Sequence, residues 1–208
     1  MRLSLFADRE PYTSYAQLPG EKGDYHLDVR APEELGHAVT VDLAVIPADL
    51  YLNLAFDLRR APSFAYGPTA LMEASFAAGC LDYLREPWDL AELFARASRI
   101  RTLRARGGDF TVELRDCLLT ISTPIEAEIL LTEPERRLLR VLMLNAGLPV
   151  PRRSLSFALW GEERAWSRAA DVHISSLRKR LEAVSPEMGM LIKASRRLGY
   201  RLLMEACA

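Results

Sequence analysis

The segment DVHISSLRKRL, residues 171–181, decides how the C-terminal half of the chain folds. At about 100° per residue in a helix, its apolar side chains share one narrow stripe with the preceding alanine, which predicts a buried face. The stripe consists of Ala170, Ile174, Leu177 and Leu181. The opposite face is small, polar and basic, and Asp171 is its only acid before Glu182. A DNA major groove, about 12 Å wide, admits such a helix, although the same periodicity is found in helical packing domains.

The segments around this helix, which is predicted to span residues 167–182, indicate two more helices and a hairpin. Thr132 and Glu135 have the spacing of a capping box that begins a helix, and Gly147 ends it. A second helix is predicted for residues 152–160, and short strands are expected at residues 110–114, 118–121 and 129–131. Residues 191–202 are predicted to form a hairpin with a basic tip. A basic hairpin beside such a helix is typical of a winged helix-turn-helix.

Charge is distributed unevenly along the 208 residues, although the net charge is only −1. Residues 1–105 contain 11 Lys and Arg against 15 Asp and Glu, whereas residues 106–208 contain 16 against 13. Residues 164–201 contain nine basic and three acidic side chains. Such a basic patch indicates a polyanionic partner or a solvated charged face.

The N-terminal half alternates short apolar runs with weaker helical segments. The runs are residues 3–6, 25–29, 43–46, 64–66 and 81–84. This pattern predicts an α/β domain with a parallel five-stranded sheet and helices on both faces. Gly107 and Gly108 end the last helical pattern. The predicted boundaries are therefore 1–104 for the first domain, 105–109 for a linker and 110–208 for an α+β second domain.

Four segments of the second half match one family in order. They are LTEPE (131–135), ALWG (158–161), DVHISSLRKRL (171–181) and IKASRRLGYR (192–201), and they closely resemble the effector domain of OmpR/PhoB-type response regulators. The resemblance implies a winged helix-turn-helix whose third helix enters the major groove and whose wing arginine enters the minor groove. In that family, the loop between helices two and three can face RNA polymerase. The resemblance places on DNA the residues Arg168, Ala169, Val172, His173, Ser176, Arg178, Lys179, Arg196 and Arg197.

Some of these positions depart from the family pattern. Ser176 stands where relatives often have arginine, and Arg197 replaces the usual glycine before the turn of the wing. Arg197 either adds a phosphate contact or is simply exposed. His173 is either a DNA contact, which the resemblance favours, or a structural ring on the helix flank. Tyr200 and Trp160 are predicted to pack in the core.

The segment GCLDYLREPWDLAELFAR, residues 79–96, resembles the last strand and helix of a CheY-like receiver domain. A receiver needs a carboxylate nucleophile, acidic Mg²⁺ ligands, a hydroxyl and a lysine. The corresponding positions hold Pro47, Asp8, Gly67 and Glu86, respectively. The resemblance therefore implies a pseudo-receiver with a degenerate phosphorylation site and no metal or cofactor. Asp42 and Asp49 lie nearby, but neither has a lysine partner.

Three charged residues resemble the positions through which family receivers pair about a two-fold axis. They are Asp82, Glu92 and Arg96. The neighbouring segment TALMEASFAA, residues 69–78, is mostly apolar. Together they predict a constitutive homodimer formed through the receiver-like domain.

These features predict a cytoplasmic, sequence-specific transcription regulator of two-component descent that binds double-stranded DNA without phosphorylation. The alternative is a signalling adaptor whose pseudo-receiver binds a protein or small ligand, with DNA binding secondary. No catalytic constellation, phosphate-binding glycine loop or metal-ligand spacing indicates an enzyme. No apolar run approaches the roughly 18 residues of a membrane helix. Cys80, Cys117 and Cys207 are too far apart in the sequence to indicate a disulfide framework or zinc site.

Overall fold

The computed structural model describes residues 1–18, 21–35, 42–55, 58–160, 169–196 and 198–207. Its first domain contains a sheet with the strand order β2-β3-β1-β4-β5-β6. The strands are β1 (Arg2–Phe6), β2 (Glu21–Lys22), β3 (Tyr25–Arg30), β4 (Leu43–Pro47), β5 (Ser63–Gly67) and β6 (Asp82–Arg85). The α-helices described in this domain are α1 (Ala48–Asn53), α2 (Met72–Ala77) and α3 (Leu90–Arg99).

Five strands of this sheet are parallel, which confirms the predicted parallel five-stranded sheet. Counted alone, their order is 2-1-3-4-5, the flavodoxin-like order. The short strand β2 adds an antiparallel edge that the sequence did not predict. Strands β4 and β5 are buried along almost their whole length because helices cover both faces of the sheet.

The two faces of the sheet are covered by different elements. Leu93 and Ala97 of α3 pack against one face together with Trp88. Ala48 and Tyr51 of α1 pack against the other face. Among the described residues, the connections before β4 contain 3-10 turns (Tyr12–Gln17 and Pro32–Glu34) rather than α-helices. Helices on both faces are thus confirmed.

The second domain contains a five-stranded antiparallel sheet, a helical layer and a hairpin. The sheet has the order β10-β9-β8-β7-β13, and β11 pairs with β12 as the hairpin. The strands are β7 (Thr102–Gly107), β8 (Phe110–Arg115), β9 (Leu118–Thr123), β10 (Ala127–Leu130), β11 (Ile192–Ser195), β12 (Gly199–Leu202) and β13 (Glu205–Ala206). The helices are α4 (Glu133–Leu144), α5 (Arg152–Trp160), α6 (Ala169–Glu182) and α7 (Pro186–Met190).

The start of this domain corrects the predicted linker. Residues 105–107, expected to be part of that linker, lie in β7, which pairs with β8 along its whole length. Gly108, with a φ of +58°, turns the chain into β8 instead of starting an open connection. Only residues 100 and 101 separate α3 from β7, so the two domains follow each other almost directly.

The two domains contact each other through a buried ion pair and hydrogen bonds. Nη2 of Arg136 on α4 lies 2.5 Å from Oδ1 of Asp42, and both side chains are less than a tenth exposed. The Asn145 side-chain amide donates to the carbonyl oxygen of Arg60 at 3.1 Å. Arg101 pairs with Asp24 of the first domain and also binds Asp116 of the second. Polar contacts therefore hold the domains together.

Candidate nucleic-acid interface

The helix α6 has the two faces that its sequence predicts. Ala170, Ile174 and Leu177 are at most 1% exposed and belong to the core of the second domain. Val172, in contrast, is 65% exposed, and Lys179 also faces solvent. The buried stripe therefore fixes the helix on the domain and leaves a basic face open to a partner.

Tyr200 of β12 joins this helix to the hairpin. Its hydroxyl donates to Oδ1 of Asp171 at 2.8 Å, and Nε of Arg152 donates to the same oxygen at 3.0 Å. The guanidinium carbons of Arg152 and Arg178 lie 5.1 and 5.4 Å from the centroid of its ring, within cation–π range. Burial, followed by the bond to Asp171, raises the pKa of Tyr200. The predicted packing of Tyr200 in the core is confirmed.

Arg178 forms a second connection between the helix and the hairpin. Its Nε donates to the carbonyl oxygen of Ile192 on β11 at 2.8 Å. The side chain is half-buried. This hydrogen bond holds β11 against α6 and occupies one of the N–H donors of Arg178.

Ser176 and Arg180 point towards the buried carboxylate of Glu135. The Ser176 hydroxyl donates to Oε1 at 2.7 Å and Nε of Arg180 donates to the same atom at 3.0 Å. Oε2 accepts from the backbone N–H and hydroxyl of Thr132, which confirms the predicted capping box. Burial alone would raise the pKa of Glu135, but the bonds from Ser176 and Thr132 and the charge of Arg180 together lower it. Glu135 thus connects the start of α4 to α6.

The remaining residues predicted to contact DNA occupy different positions. His173 is half-buried, with its ring centroid 6.4 Å from that of Trp160. Arg196 is exposed at the tip of the hairpin, and Ala169 begins α6. Arg168 and Arg197 lie outside the described residues. Sequence reasoning missed the bonds of Asp171 with Tyr200 and Arg152 and those of Glu135 with α6. The available signals were Asp171, the lone acid before Glu182 on this helix, and the capping-box position of Glu135.

The residues predicted to form a degenerate phosphorylation site lie around a cavity of about 440 Å³ at the end of β4. Asp8, Pro47 and Gly67 line it. Glu86, at the position of the receiver lysine, accepts a hydrogen bond from Nη2 of Arg9 at 2.6 Å. The acid predicted at the lysine position is therefore paired with a nearby cation, Arg9.

The two carboxylates considered as substitutes are placed differently. Asp49 is exposed and lines the cavity. Asp42 is 5% exposed and accepts hydrogen bonds from the backbone N–H of Arg2 and from Arg136. Burial alone would raise the pKa of Asp42, but the Arg136 charge and these bonds lower it. Asp42 thus contacts the second domain and does not line the 440 Å³ cavity.

The residues predicted to form a dimer surface lie together within one chain. Nη1 of Arg96 is 2.9 Å from Oδ1 of Asp82, and its Nη2 is 2.7 Å from Oε1 of Glu92. On α2, Met72 and Phe76 are 36% and 45% exposed. Ion-paired and apolar surfaces are therefore both available on this domain.

The described part of the chain contains neither a candidate metal site nor a candidate membrane-spanning helix. Among those residues, no group of three or more His, Cys, Asp or Glu is placed to hold a metal ion. None of the described helices combines the length and apolar character required to cross a membrane.

Comparison with known proteins relates the second domain to transcription regulators. Residues 126–202 match the family model described as "Transcriptional regulatory protein, C terminal". The transcriptional regulatory protein CreB of Escherichia coli is 30% identical over 135 residues, which cover 60% of this chain and 57% of CreB. The KDP operon transcriptional regulatory protein KdpE of Escherichia coli is 30% identical over 138 residues, which cover 63% of this chain and 61% of KdpE. The chain thus matches about 60% of the length of these relatives.

Several solved structures align over both domains, among them a response regulator. The response regulator DrrB, described as a Thermotoga maritima OmpR/PhoB homolog, is 19% identical and has a TM-score of 0.40. The alignment covers 97% of this chain and 98% of that chain.

Proposed function

We propose that this chain is a sequence-specific DNA-binding transcription regulator of the OmpR/PhoB response-regulator type. The observation that carries the proposal is the basic outer face of α6 joined to the hairpin through Tyr200. The family match of residues 126–202 supports it. The outer face of α6 would enter a major groove, while Arg196 at the hairpin tip would enter the adjacent minor groove.

The contacts divide between phosphates and bases. Lys179 and Arg196 are exposed cations of the kind that neutralise phosphates. Val172 can contact a thymine methyl group. Ser176 donates its proton to Glu135, and its oxygen retains the capacity to accept a bond from DNA. His173 and, by resemblance, Arg168, Ala169 and Arg197 complete the proposed surface, with Arg178 supporting the hairpin.

We expect Lys179→Ala and Arg196→Ala each to reduce the dependence of DNA affinity on salt. Each contact removed should lower the slope of log K against log [salt] by about one. The measurement is fluorescence anisotropy with a genomic fragment selected by the unmodified full-length protein. Arg104→Ala is the matched control because Arg104 is 60% exposed on β7, away from α6, and should leave the slope unchanged. Equal slopes in all four proteins would contradict the proposal and favour the adaptor alternative.

Regulation is proposed to be independent of Asp phosphorylation. Pro47 offers no nucleophile, and by resemblance Glu86 replaces the lysine that would bind a phosphoryl group. The nearby cation Arg9 is paired with Glu86. Asp42, the buried carboxylate nearby, forms an ion pair with Arg136 and is not free to act as the nucleophile. The apolar side chains exposed on α2 support a constitutive homodimer. Asp82, Glu92 and Arg96, which pair within one chain, are assigned to its surface by resemblance. Two copies would bind half-sites about one helical turn apart.

We expect the full-length protein to sediment as a dimer at micromolar concentration with or without acetyl phosphate. Phe76→Asp should weaken dimerisation at least about tenfold because it places a charge in an apolar contact. Leu148→Asp is the control because Leu148 has similar exposure, 48%, in the second domain. A monomer at these concentrations, or a dimer that forms only with acetyl phosphate, would overturn this part of the proposal.

A further inference from the structure

A small cavity of about 210 Å³ lies between the two domains, apart from the proposed DNA surface and from the degenerate phosphorylation site. Residues of both domains line it, among them Met1, Arg2, Asp42, Glu133, Arg136 and Arg140. A molecule bound here would therefore contact both domains at once.

The charges around this cavity are unbalanced in favour of cations. Four arginines line the cavity, Arg2, Arg101, Arg136 and Arg140, against three carboxylates. Arg136 and Arg140, both on α4, are less than a tenth exposed. Two of the carboxylates are Asp42, which binds Arg136, and the half-exposed Glu133, which binds Arg136 and Arg137. A third carboxylate lining the cavity, Asp116, is 54% exposed and is paired with Arg101. No carboxylate among the described residues forms an ion pair with Arg140.

Arg140 is the buried cation left without an adequate partner. It is 5% exposed, and its Nε has no hydrogen-bond acceptor in the described part of the chain. One terminal nitrogen has the Met1 sulphur at 4.0 Å, and a thioether is a weak acceptor. Burial lowers the pKa of Arg140 to about 10, although the charge of Asp42 opposes the shift. Burying a charged donor without acceptors is unfavourable, and a bound anion would remove that cost.

We propose that this interdomain cavity binds a small oxyanion, a phosphate-sized group or a short carboxylate, through the guanidinium of Arg140. The guanidinium is planar and presents its N–H groups in a fork that matches two oxygens of such an anion. Asp42 and Glu133 limit the positive charge of the cavity, so the site favours an anion of low charge. Because both domains line the cavity, a bound oxyanion stabilises their packed arrangement over any arrangement in which they separate.

The test is calorimetric unfolding of the full-length protein in increasing inorganic phosphate at constant ionic strength, without DNA. We expect a saturable rise of the melting midpoint, by roughly 5 °C at 100 times the dissociation constant. Acetate in place of phosphate separates a preference for phosphate groups from a preference for carboxylates. In Arg140→Met the rise should disappear, while the midpoint without phosphate stays equal to or above that of the wild type because an uncompensated buried charge has been removed.

Lys179→Met is the matched control, since it removes an exposed cation from the proposed DNA surface and should keep the full phosphate response. The proposal is overturned if Arg140→Met responds like the wild type, or if Lys179→Met abolishes the response. Arg140→Lys provides a second variant if Arg140→Met does not fold. It keeps the charge but loses the fork, so at least about tenfold more phosphate should be needed for half of the response. An unchanged phosphate requirement in that variant would also overturn the proposal.

Discussion

Replacing Gly199 with alanine is expected to lower the unfolding free energy of the second domain by more than about 3 kcal/mol. Gly199 has a φ of +105°, which L-amino acids with a side chain avoid. An added Cβ would lie 2.0 Å from the carbonyl oxygen of Val150. That oxygen accepts the N–H of Tyr200 at 3.0 Å, so the hairpin cannot retreat without breaking this bond. Calorimetry should show a melting midpoint lower by roughly 10 °C.

Gly108→Ala separates the contact with Val150 from the effect of the backbone angle. Gly108 also has a positive φ, +58°, but a Cβ there would meet nothing within 4 Å. We therefore expect this variant to lose only about 1 kcal/mol of stability. Equal losses in the two variants would mean that the Val150 carbonyl does not fix the position of the hairpin.

Replacing Glu135 with glutamine is expected to lower the unfolding free energy by about 3 kcal/mol. Each oxygen of the Glu135 carboxylate accepts two hydrogen bonds, from Ser176 and Arg180 at one and from Thr132 at the other. In either orientation of a glutamine amide, its NH₂ group faces two of these hydrogen-bond donors. Those two donors are then left without an acceptor. Urea unfolding followed by circular dichroism measures the loss, and weaker packing of α6 should reduce DNA affinity as well.

Glu113→Gln is the matched control for this substitution. Glu113 forms a single pair with Arg104 at 2.7 Å, and the two side chains are 32% and 60% exposed. Exposed pairs contribute about 0–1 kcal/mol. A loss as large as that of Glu135→Gln would show that removing any carboxylate destabilises the domain and that the buried network is not the cause.

The effect of Glu135→Gln should depend on pH in a defined direction. Burial alone would raise the pKa of Glu135, but its hydrogen bonds and Arg180 keep it below the ordinary value of about 4.3. Stability from such a group is present above the pKa of the unfolded state and is lost as the pH falls through the pKa of the folded state. The stability difference from the wild type should therefore be constant near pH 7 and shrink below about pH 4.

Asp42 and Glu133, whose pKa values are also lowered, are present in both proteins, so their contributions to the pH dependence cancel in the difference. A difference that persists undiminished at pH 3 would contradict this account.

The parts of the fold predicted from sequence depend on local patterns. Thr132 and Glu135 are three residues apart, so their capping box and the start of α4 follow from one turn of helix. Ala170, Ile174 and Leu177 recur at helical spacing, which was enough to identify the buried face of α6. The strand β7 escaped prediction because it contains Arg104 and Arg106, and because its last residue Gly107 and the following Gly108 were taken as the stop of a helix.

The contacts that were missed join residues distant in sequence. Asp42 and Arg136 are 94 positions apart, and nothing near either one in the chain indicates the other. Ser176 lies on the face predicted to meet DNA, yet its proton is directed to Glu135, 41 positions earlier. Helical periodicity predicts the direction in which a side chain points from its own helix. It does not predict which side chains of another helix lie there. The Tyr200 bond to Asp171 belongs to the same class.

Under the proposed function, the attachment of Tyr200 to Asp171, Arg152 and Arg178 has a consequence for the choice of DNA sequence. Because hydrogen bonds and ring contacts hold α6 against the hairpin, the distance between them is set by the protein and does not adjust to each DNA duplex. A double helix with a different groove width or bend must be deformed to meet both elements, and the energy of that deformation depends on base-step stiffness. Base pairs that no side chain touches would then contribute to selectivity through the mechanics of the DNA itself.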